Sequence, residues 1–187
     1  MQKELEKMIE VRFHGRGGQG AITAAEILAT AAFLDGKESQ AFGSFGPERT
    51  GAPVMSFCRI DDKQIRLHQQ VYEPDYVVVL DETLLSSVNV FDGVKKTGKA
   101  IFATKEQPAA FFAQANGIVV DTVDAYAIAK EKIGRPIVNT ALLGAIARAT
   151  GIVSMDSLKK AIQERFPKEL AEKNIAAATA CYDSCTA

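Results

Sequence analysis

The sequence has no tryptophan, only two histidines and only three cysteines. Without tryptophan there is no obvious stacking platform for a planar ligand. Three cysteines cannot build a disulfide framework, and an iron–sulfur cluster typically takes about four. Cys181 and Cys185 lie four apart and share a face if that stretch is helical. Two thiolates with neither histidine nearby in sequence still make a poor metal site, so both are expected as free thiols at a fraying terminus. Cys58 falls within a strand-like run. No Gly-x-Ser-x-Gly is present to place a nucleophile, and no Gly-Lys-Ser/Thr follows the glycines, which excludes a Walker loop. No apolar run approaches membrane-spanning length. The charged opening, Met1 to Lys7, is no signal peptide, so a cytoplasmic location is expected. With 22 basic against 23 acidic residues, the chain has no global attraction to nucleic acid or an anionic membrane, and neither is expected as a partner. There is no internal repeat or low-complexity tract.

What is present begins with Phe13-His14-Gly15-Arg16-Gly17-Gly18-Gln19-Gly20. Val11 and Phe13 alternate with Arg12 as in a strand, and Ala21 to Leu34 is rich in helix formers. A strand, a glycine loop and a helix in that order present backbone N–H groups at a helix N-terminus to an anion. Arg16 adds a positive charge. The alternative is that the glycines only make a tight turn. His14, at the strand end, either faces a ligand or is a hydrogen-bonded structural residue, and the second is the expectation.

Downstream, Gly36 ends the helix and Lys37 to Phe42 reads as a strand. Gly43 to Pro53 holds three glycines and two prolines, which excludes regular structure. Phe45 and Glu48-Arg49 make this loop more than a polar linker. Val54 to Ile60 is a strand with Val54, Ser56 and Cys58 on one face and Met55, Phe57 and Arg59 on the other. Asp61-Asp62 turns it, and Lys63 to Leu67 is expected to return as a hairpin partner. Tyr76 to Leu80 is a buried strand, followed by Asp81 as the cap of a helix over Glu82–Val88. A strand at Ala100–Ala103, a helix over Lys105–Ala115 and a strand at Gly117–Val120 continue the alternation.

The remainder is helical: Asp124–Ile133, then Asn139–Thr150 capped by Asn139 and stopped by Gly151, a helix from Ser154, and a last one over Lys168–Tyr182. The Asn139 helix is apolar on nearly every face, so it should be buried, with Gly144 permitting close approach of a neighbour. Val153 and Leu158 are placed as a hydrophobic staple. The stripe Leu170, Ile175 and Ala178 is weak and predicts partial burial or a partner contact. The pattern predicts an α/β fold over residues 1–187 as one three-layer domain, with a mixed, mostly parallel sheet that includes a β-hairpin and with a helical C-terminal region.

Gly15-x-Gly17-x-x-Gly20 also matches the dinucleotide fingerprint by letter. The fingerprint calls for an acid ending the second strand, to hold the ribose hydroxyls. Here that strand ends in Gln40-Ala41-Phe42, with Asp35 before it and Glu38 inside it. A Rossmann-like NAD-binding protein is therefore the alternative from another functional class.

Val11 to Ala21, Ser44 to Val54, Pro74-Asp75 leading to Leu80-Asp81, and more loosely Asn139 with Leu143-Gly144-Ala145 together resemble the gamma subunit of the 2-oxoacid:ferredoxin oxidoreductases, most closely the pyruvate-acting members. The resemblance spans most of the chain. It implies membership of a multi-chain enzyme converting pyruvate, coenzyme A and oxidised ferredoxin to acetyl-CoA, CO2 and reduced ferredoxin. It further implies alpha, beta and delta subunits as partners, with thiamine diphosphate, Mg and the iron–sulfur clusters carried by them and no cofactor here. The chain contains no Gly-Asp-Gly followed by paired asparagines to hold a Mg-bound diphosphate. No catalytic residue and no metal ligand are expected in it. Gly15, Arg16, Gly17, Gly18, Gln19 and Gly20 are the candidates for a phosphate of coenzyme A. Gly46, Pro47, Glu48, Arg49, Thr50 and Gly51 are the candidates for a loop facing the partner's active site. Both loops also suit a purely structural role in assembly. Relatives acting on 2-oxoglutarate tend to carry a basic residue directly before a Gly-Gly pair in the second loop. Here Arg49 precedes Thr50-Gly51-Ala52, which favours a small apolar 2-oxoacid such as pyruvate and leaves branched-chain 2-oxoacids open.

Overall fold

The computed structural model describes residues 8–44, 50–105 and 114–186. Six strands, β1 (Ile9–Arg16), β2 (Glu38–Gly43), β3 (Pro53–Asp61), β4 (Tyr76–Val79), β5 (Lys99–Ala103) and β6 (Val119–Val123), form one sheet in the order β2-β3-β1-β4-β5-β6. β3 runs antiparallel to both β1 and β2. β1, β4, β5 and β6 are parallel to one another. β1 is thus the strand at which the pairing changes sense: Arg16 lies opposite Pro53 of β3, and His14 opposite Val79 of β4.

Alternation along the strands divides their side chains between two faces. Val11, Phe13, Cys58, Ile60, Val78, Leu80 and Ile101 join one buried cluster with five helices. These are α1 (Ala21–Leu34), α2 (Ala125–Ile133), α3 (Ala141–Thr150), α4 (Met155–Arg165) and α5 (Lys168–Ser184). Every residue of α3 except Arg148 and Thr150 is buried, as its all-round apolar pattern demands. A Cβ built on Gly144 would overlap the backbone carbonyl of Ala178, so α3 and α5 meet almost backbone to backbone. Ser154 caps α4, accepting from Ser157 N (3.1 Å), and Val153 and Leu158 are both buried as the staple requires. Asp35 accepts from Ser154 N, Ser154 Oγ and Ser157 Oγ, each at 2.7 Å, and so ties the end of α1 to the start of α4.

The opposite face buries Val77, Val79, Ala100 and Phe102 beneath Leu84, Val90, Phe91 and Ala115. Much of that cover is irregular chain anchored by buried arginines. Arg59 is fully buried. It pairs with Glu10 (2.9 Å) and donates to the carbonyls of Leu67, Gln69 and Gln70, with the Phe42 ring 5.1 Å away. Arg12 donates to Val90 O (3.1 Å) and Asp92 O (2.5 Å).

Several expectations are corrected. Lys63 to Leu67 is not a strand. Both edges of β3 are occupied by β1 and β2, so the hairpin is the β2–β3 pair and Leu67 offers its carbonyl to Arg59 instead. The helix expected over Glu82–Val88 is a 3-10 turn over Glu82–Ser86, with Asp81 capping it as foreseen. β6 starts two residues later than Gly117 and continues through Asp121, which is buried with Lys99 3.8 Å away. Asn139 does not cap α3: the cap position is Thr140, without a side-chain bond. The buried face of α5 is Ala171, Asn174, Ala177, Ala178 and Cys181, while Leu170 of the expected stripe is exposed. Small residues face inward because α3 comes so close. Cys181 is therefore a core thiol, and burial pushes its pKa up to about 12. The helix expected over Lys105–Ala115 lies largely outside the described residues.

Candidate functional site

The carboxyl ends of β1 and β4 open on one side of the sheet. In open α/β sheets that edge, at the strand where the connection reverses direction, is where ligand crevices form. The glycine loop leaves β1 at Arg16 and enters α1 through Gly20. Gln19 closes the loop on itself: its Oε1 accepts from Arg16 N (2.7 Å) and its N donates to Arg16 O (2.9 Å). Gly20 caps α1 in the left-handed region (φ 77°) with no side chain bonded to the first turn. A Cβ there would run into the Asn139 side chain, whose Nδ2 donates to Gly20 O (3.2 Å). Glycine at this position thus serves both the turn and a close contact made by a residue far along the chain.

The two glycine loops are joined directly. Gly17 N donates to Ala52 O (2.8 Å) and Gly51 N donates to Gly17 O (3.1 Å). Side chains reinforce that backbone bridge. Arg16 donates through Nε to Asp81 Oδ2 (3.1 Å), through Nη1 to Gly51 O (3.1 Å) and through Nη2 to Thr83 Oγ1 (2.7 Å). Asp81 also accepts from Gln19 Nε2 (2.9 Å), Thr83 N (3.0 Å) and Thr83 Oγ1 (2.6 Å). Burial alone would raise the Asp81 pKa. The Thr83 and Gln19 hydrogen bonds and the Arg16 charge outweigh it and hold the carboxyl below its usual range. Tyr126 Oη donates to Leu80 O (2.8 Å), fixing the peptide just before Asp81. Burial, then the charges of Asp81 and Glu82, push that phenol up.

His14 is turned away from this edge. It is 3% exposed, and its Nε2 accepts from Arg12 Nε (3.0 Å). Burial and then the Arg12 charge lower its pKa to about 3, so it is a neutral structural residue, as the sequence suggested. Asp35 is committed to α4, and Glu38 sits exposed at the start of β2. β2 does not lie beside β1, because antiparallel β3 is inserted between them, so the surroundings of a ribose-binding acid are not assembled.

Of the sequence candidates, Gly15 to Gly20 and Thr50-Gly51 come together at this edge. Gly46, Pro47, Glu48 and Arg49 lie outside the described residues. Sequence reasoning treated Asp81 chiefly as a cap and did not find its bond to Arg16. It missed Thr83 and Tyr126 and gave Asn139 a different role. Asp81-x-Thr83 is a local signal, since an aspartate readily bonds a backbone N–H two residues on. Tyr126 and Asn139 reach the site over sequence separations of 46 and 119 residues, and nothing local marks them.

The edge therefore offers a helix N-terminus without a side-chain cap, a hydrogen-bonded pair of glycine loops and a cation already neutralised by Asp81. It can meet an anion at that helix N-terminus, or meet a protein through a glycine surface next to the exposed Ile22. Among the described residues, no group of three or more His, Cys, Asp or Glu side chains is placed to hold a metal ion. No helix among them is long and apolar enough to cross a membrane.

Residues 10–184 match the family model described as pyruvate ferredoxin/flavodoxin oxidoreductase. The chain is 58% identical over 176 residues to the pyruvate synthase subunit PorC of Methanothermobacter thermautotrophicus, covering 94% of this chain and 95% of that one. It is 53% identical over 178 residues to the pyruvate/ketoisovalerate oxidoreductases common subunit gamma of Pyrococcus furiosus, covering 94% and 96%. The crystal structure of pyruvate oxidoreductase subunit PORC from Thermotoga maritima superimposes with a TM-score of 0.85 at 38% identity, covering 97% of this chain and 98% of that one.

Proposed function

This chain belongs to the pyruvate ferredoxin/flavodoxin oxidoreductase family, as the gamma subunit of a 2-oxoacid:ferredoxin oxidoreductase, and on that premise we propose that it completes a pyruvate:ferredoxin oxidoreductase without performing the chemistry itself. It packs on the thiamine-bearing subunits, and its two-loop edge borders the cavity by which coenzyme A approaches. Alpha, beta and delta subunits are its partners in a cytoplasmic complex, and ferredoxin takes the electrons. Thiamine diphosphate, Mg and the iron–sulfur clusters are assigned to those partners. The cysteines of this chain do not fit a cluster: Cys58 and Cys181 are buried at separate places, Cys58 on β3 and Cys181 on α5.

The observation that carries this reading is the backbone bridge from Gly17 to Gly51 and Ala52. It welds two glycine-rich stretches into one surface at the edge where α/β sheets receive ligands. In that role the loop Gly15, Gly17, Gly18, Gln19 and Gly20 holds the N-terminus of α1 toward a phosphate of coenzyme A, the N–H groups of Gly17 and Gln19 being spent on Ala52 O and Arg16 O. The helix N-terminus provides the partial positive charge, and Arg16 shapes the loops from behind. Thr50 and Gly51 carry the second loop, with Gly46 to Arg49, toward the partner's active site. A second reading has its own support: the Pyrococcus furiosus relative is named as common to pyruvate and ketoisovalerate oxidoreductases. A gamma chain that leaves substrate choice to its partners suits a branched-chain enzyme equally.

Gly18→Ala tests the reading: a Cβ at Gly18 meets nothing within 4 Å and stands in open space, while the left-handed backbone there (φ 94°) makes the change strain the loop itself. In the reconstituted complex it should raise KM for coenzyme A about tenfold with kcat nearly unchanged. Dissociation on gel filtration, with normal coenzyme A kinetics in whatever complex survives, would instead make the loops an assembly surface. Tight binding of a nicotinamide dinucleotide by the isolated chain would sink both.

A further inference from the structure

The side chains behind the glycine loops form a single connected unit, and Asp81 lies at its centre. Oδ2 takes Arg16 Nε and Gln19 Nε2, while Oδ1 takes Thr83 N and Thr83 Oγ1. One carboxylate thus holds the first glycine loop on one side and the 3-10 turn after β4 on the other. Arg16 extends the connection to the second loop at Gly51 O. Its three acceptors lie on two segments, Asp81 and Thr83 in the turn after β4 and Gly51 in the second loop, and each meets a different nitrogen of the planar guanidinium, a fixed fork that a single ammonium does not reproduce. The Arg16 and Asp81 side chains are 28% and 15% exposed, so the pair is partly buried between the loops and the turn.

We propose that Asp81 is a positioning residue for coenzyme A: through Arg16 it latches the two glycine loops at a fixed spacing, and that spacing sets how well the edge accepts the cosubstrate. This rests on the reading that the edge borders the path of coenzyme A. The ion pair also neutralises the Arg16 charge, leaving the N-terminus of α1 to meet the phosphate. Asp81 acts through the loops and touches neither substrate nor reacting atoms.

The test compares Asp81→Asn, Arg16→Lys and the double variant in the reconstituted complex. Each single change should raise KM for coenzyme A about fivefold to tenfold, with kcat within about twofold. The double variant should be no worse than the worse single one, because both break one latch. Asp81→Glu, which keeps the charge, should recover part of the loss. Hydrogen exchange of residues 15–20 and 50–52 should accelerate in Asp81→Asn while β5 is unchanged. Unaltered exchange in both loops, or multiplicative effects in the double variant, would overturn the latch. Faster exchange beside an unchanged KM would uphold the latch and reject the coenzyme A reading beneath it. Should Asp81→Asn fail to assemble, Arg16→Lys, which preserves the charge, carries the same comparison.

Discussion

The two faces of the sheet are held down in opposite ways. On the helical face, contact is made by what is missing from side chains: Gly144 lets the Ala178 backbone come so near that no Cβ fits between them, and α5 turns alanines inward. On the other face, contact is made by the longest cation available. Arg59 and Arg12 pass through buried space to collect carbonyls from segments with no strand or helix of their own. A helix satisfies its own backbone and asks its neighbour only for shape. Irregular chain leaves its carbonyls unpaired, and a buried donor with several N–H groups must supply what a ladder would have supplied.

The comparison is broken most severely at Gly144. Gly144→Val should cost about 3 kcal/mol or more, since overpacking against a backbone carbonyl cannot be relieved by a rotamer change. Thermal or urea unfolding of the isolated chain measures it. A loss below about 1 kcal/mol would mean that α3 and α5 can slide apart and that small residues are not what holds this face.

Arg59→Met comes next. It preserves the apolar stem but leaves Glu10, among the described residues, with the more distant Lys95 (4.0 Å) alone and takes the Arg59 donor from three carbonyls. A loss of about 2–3 kcal/mol is expected. Proteolysis should then cut first within residues 63–73, where the chain loses its anchor, while the helices stay protected. Cleavage elsewhere would show that Arg59 is not the anchor of that segment.

The same contrast explains what could be read in the sequence. The five helices and the buried strands repeat apolar residues at fixed intervals, so they were legible, as were Asp81 as a cap, Ser154 as the start of a helix and Gly151 as a stop. The arginine-held segments repeat nothing. Lys63 to Leu67 resembles a returning strand by local pattern, and only the occupation of both edges of β3 by β1 and β2 removes that option. At the site, the glycines and Arg16 were visible because their types are unusual in that arrangement. The partners that give the arrangement its rigidity, Asp81 for Arg16 and Asn139 for Gly20, lie 65 and 119 residues away. Such pairings are set by topology, which no short window contains.

A third change sharpens the comparison through pH. His14 lies on the arginine-held face, buried and accepting from Arg12 Nε. A proton on Nε2 would abolish that bond and place two cations together, so the folded chain keeps His14 neutral until about pH 3, against an ordinary value of 6.5. The unfolded chain takes up the proton below about 6.5. The stabilisation is therefore complete above that pH and is lost as pH falls from there toward 3, by about 1.4 kcal/mol for each pH unit once well below 6.5. His14→Gln places an amide oxygen where Nε2 was and cannot titrate. Urea midpoints between pH 7 and 4.5 should then fall less steeply than for the unaltered chain, with the two curves differing by about 1.4 kcal/mol per unit below pH 6. Cys181, buried on the helical face and shifted the opposite way to about 12, should leave no trace in that window. Parallel curves for the two proteins would mean that His14 is solvated or protonated in the folded chain, and that the arginine-held face is no more sensitive to acid than the helical one.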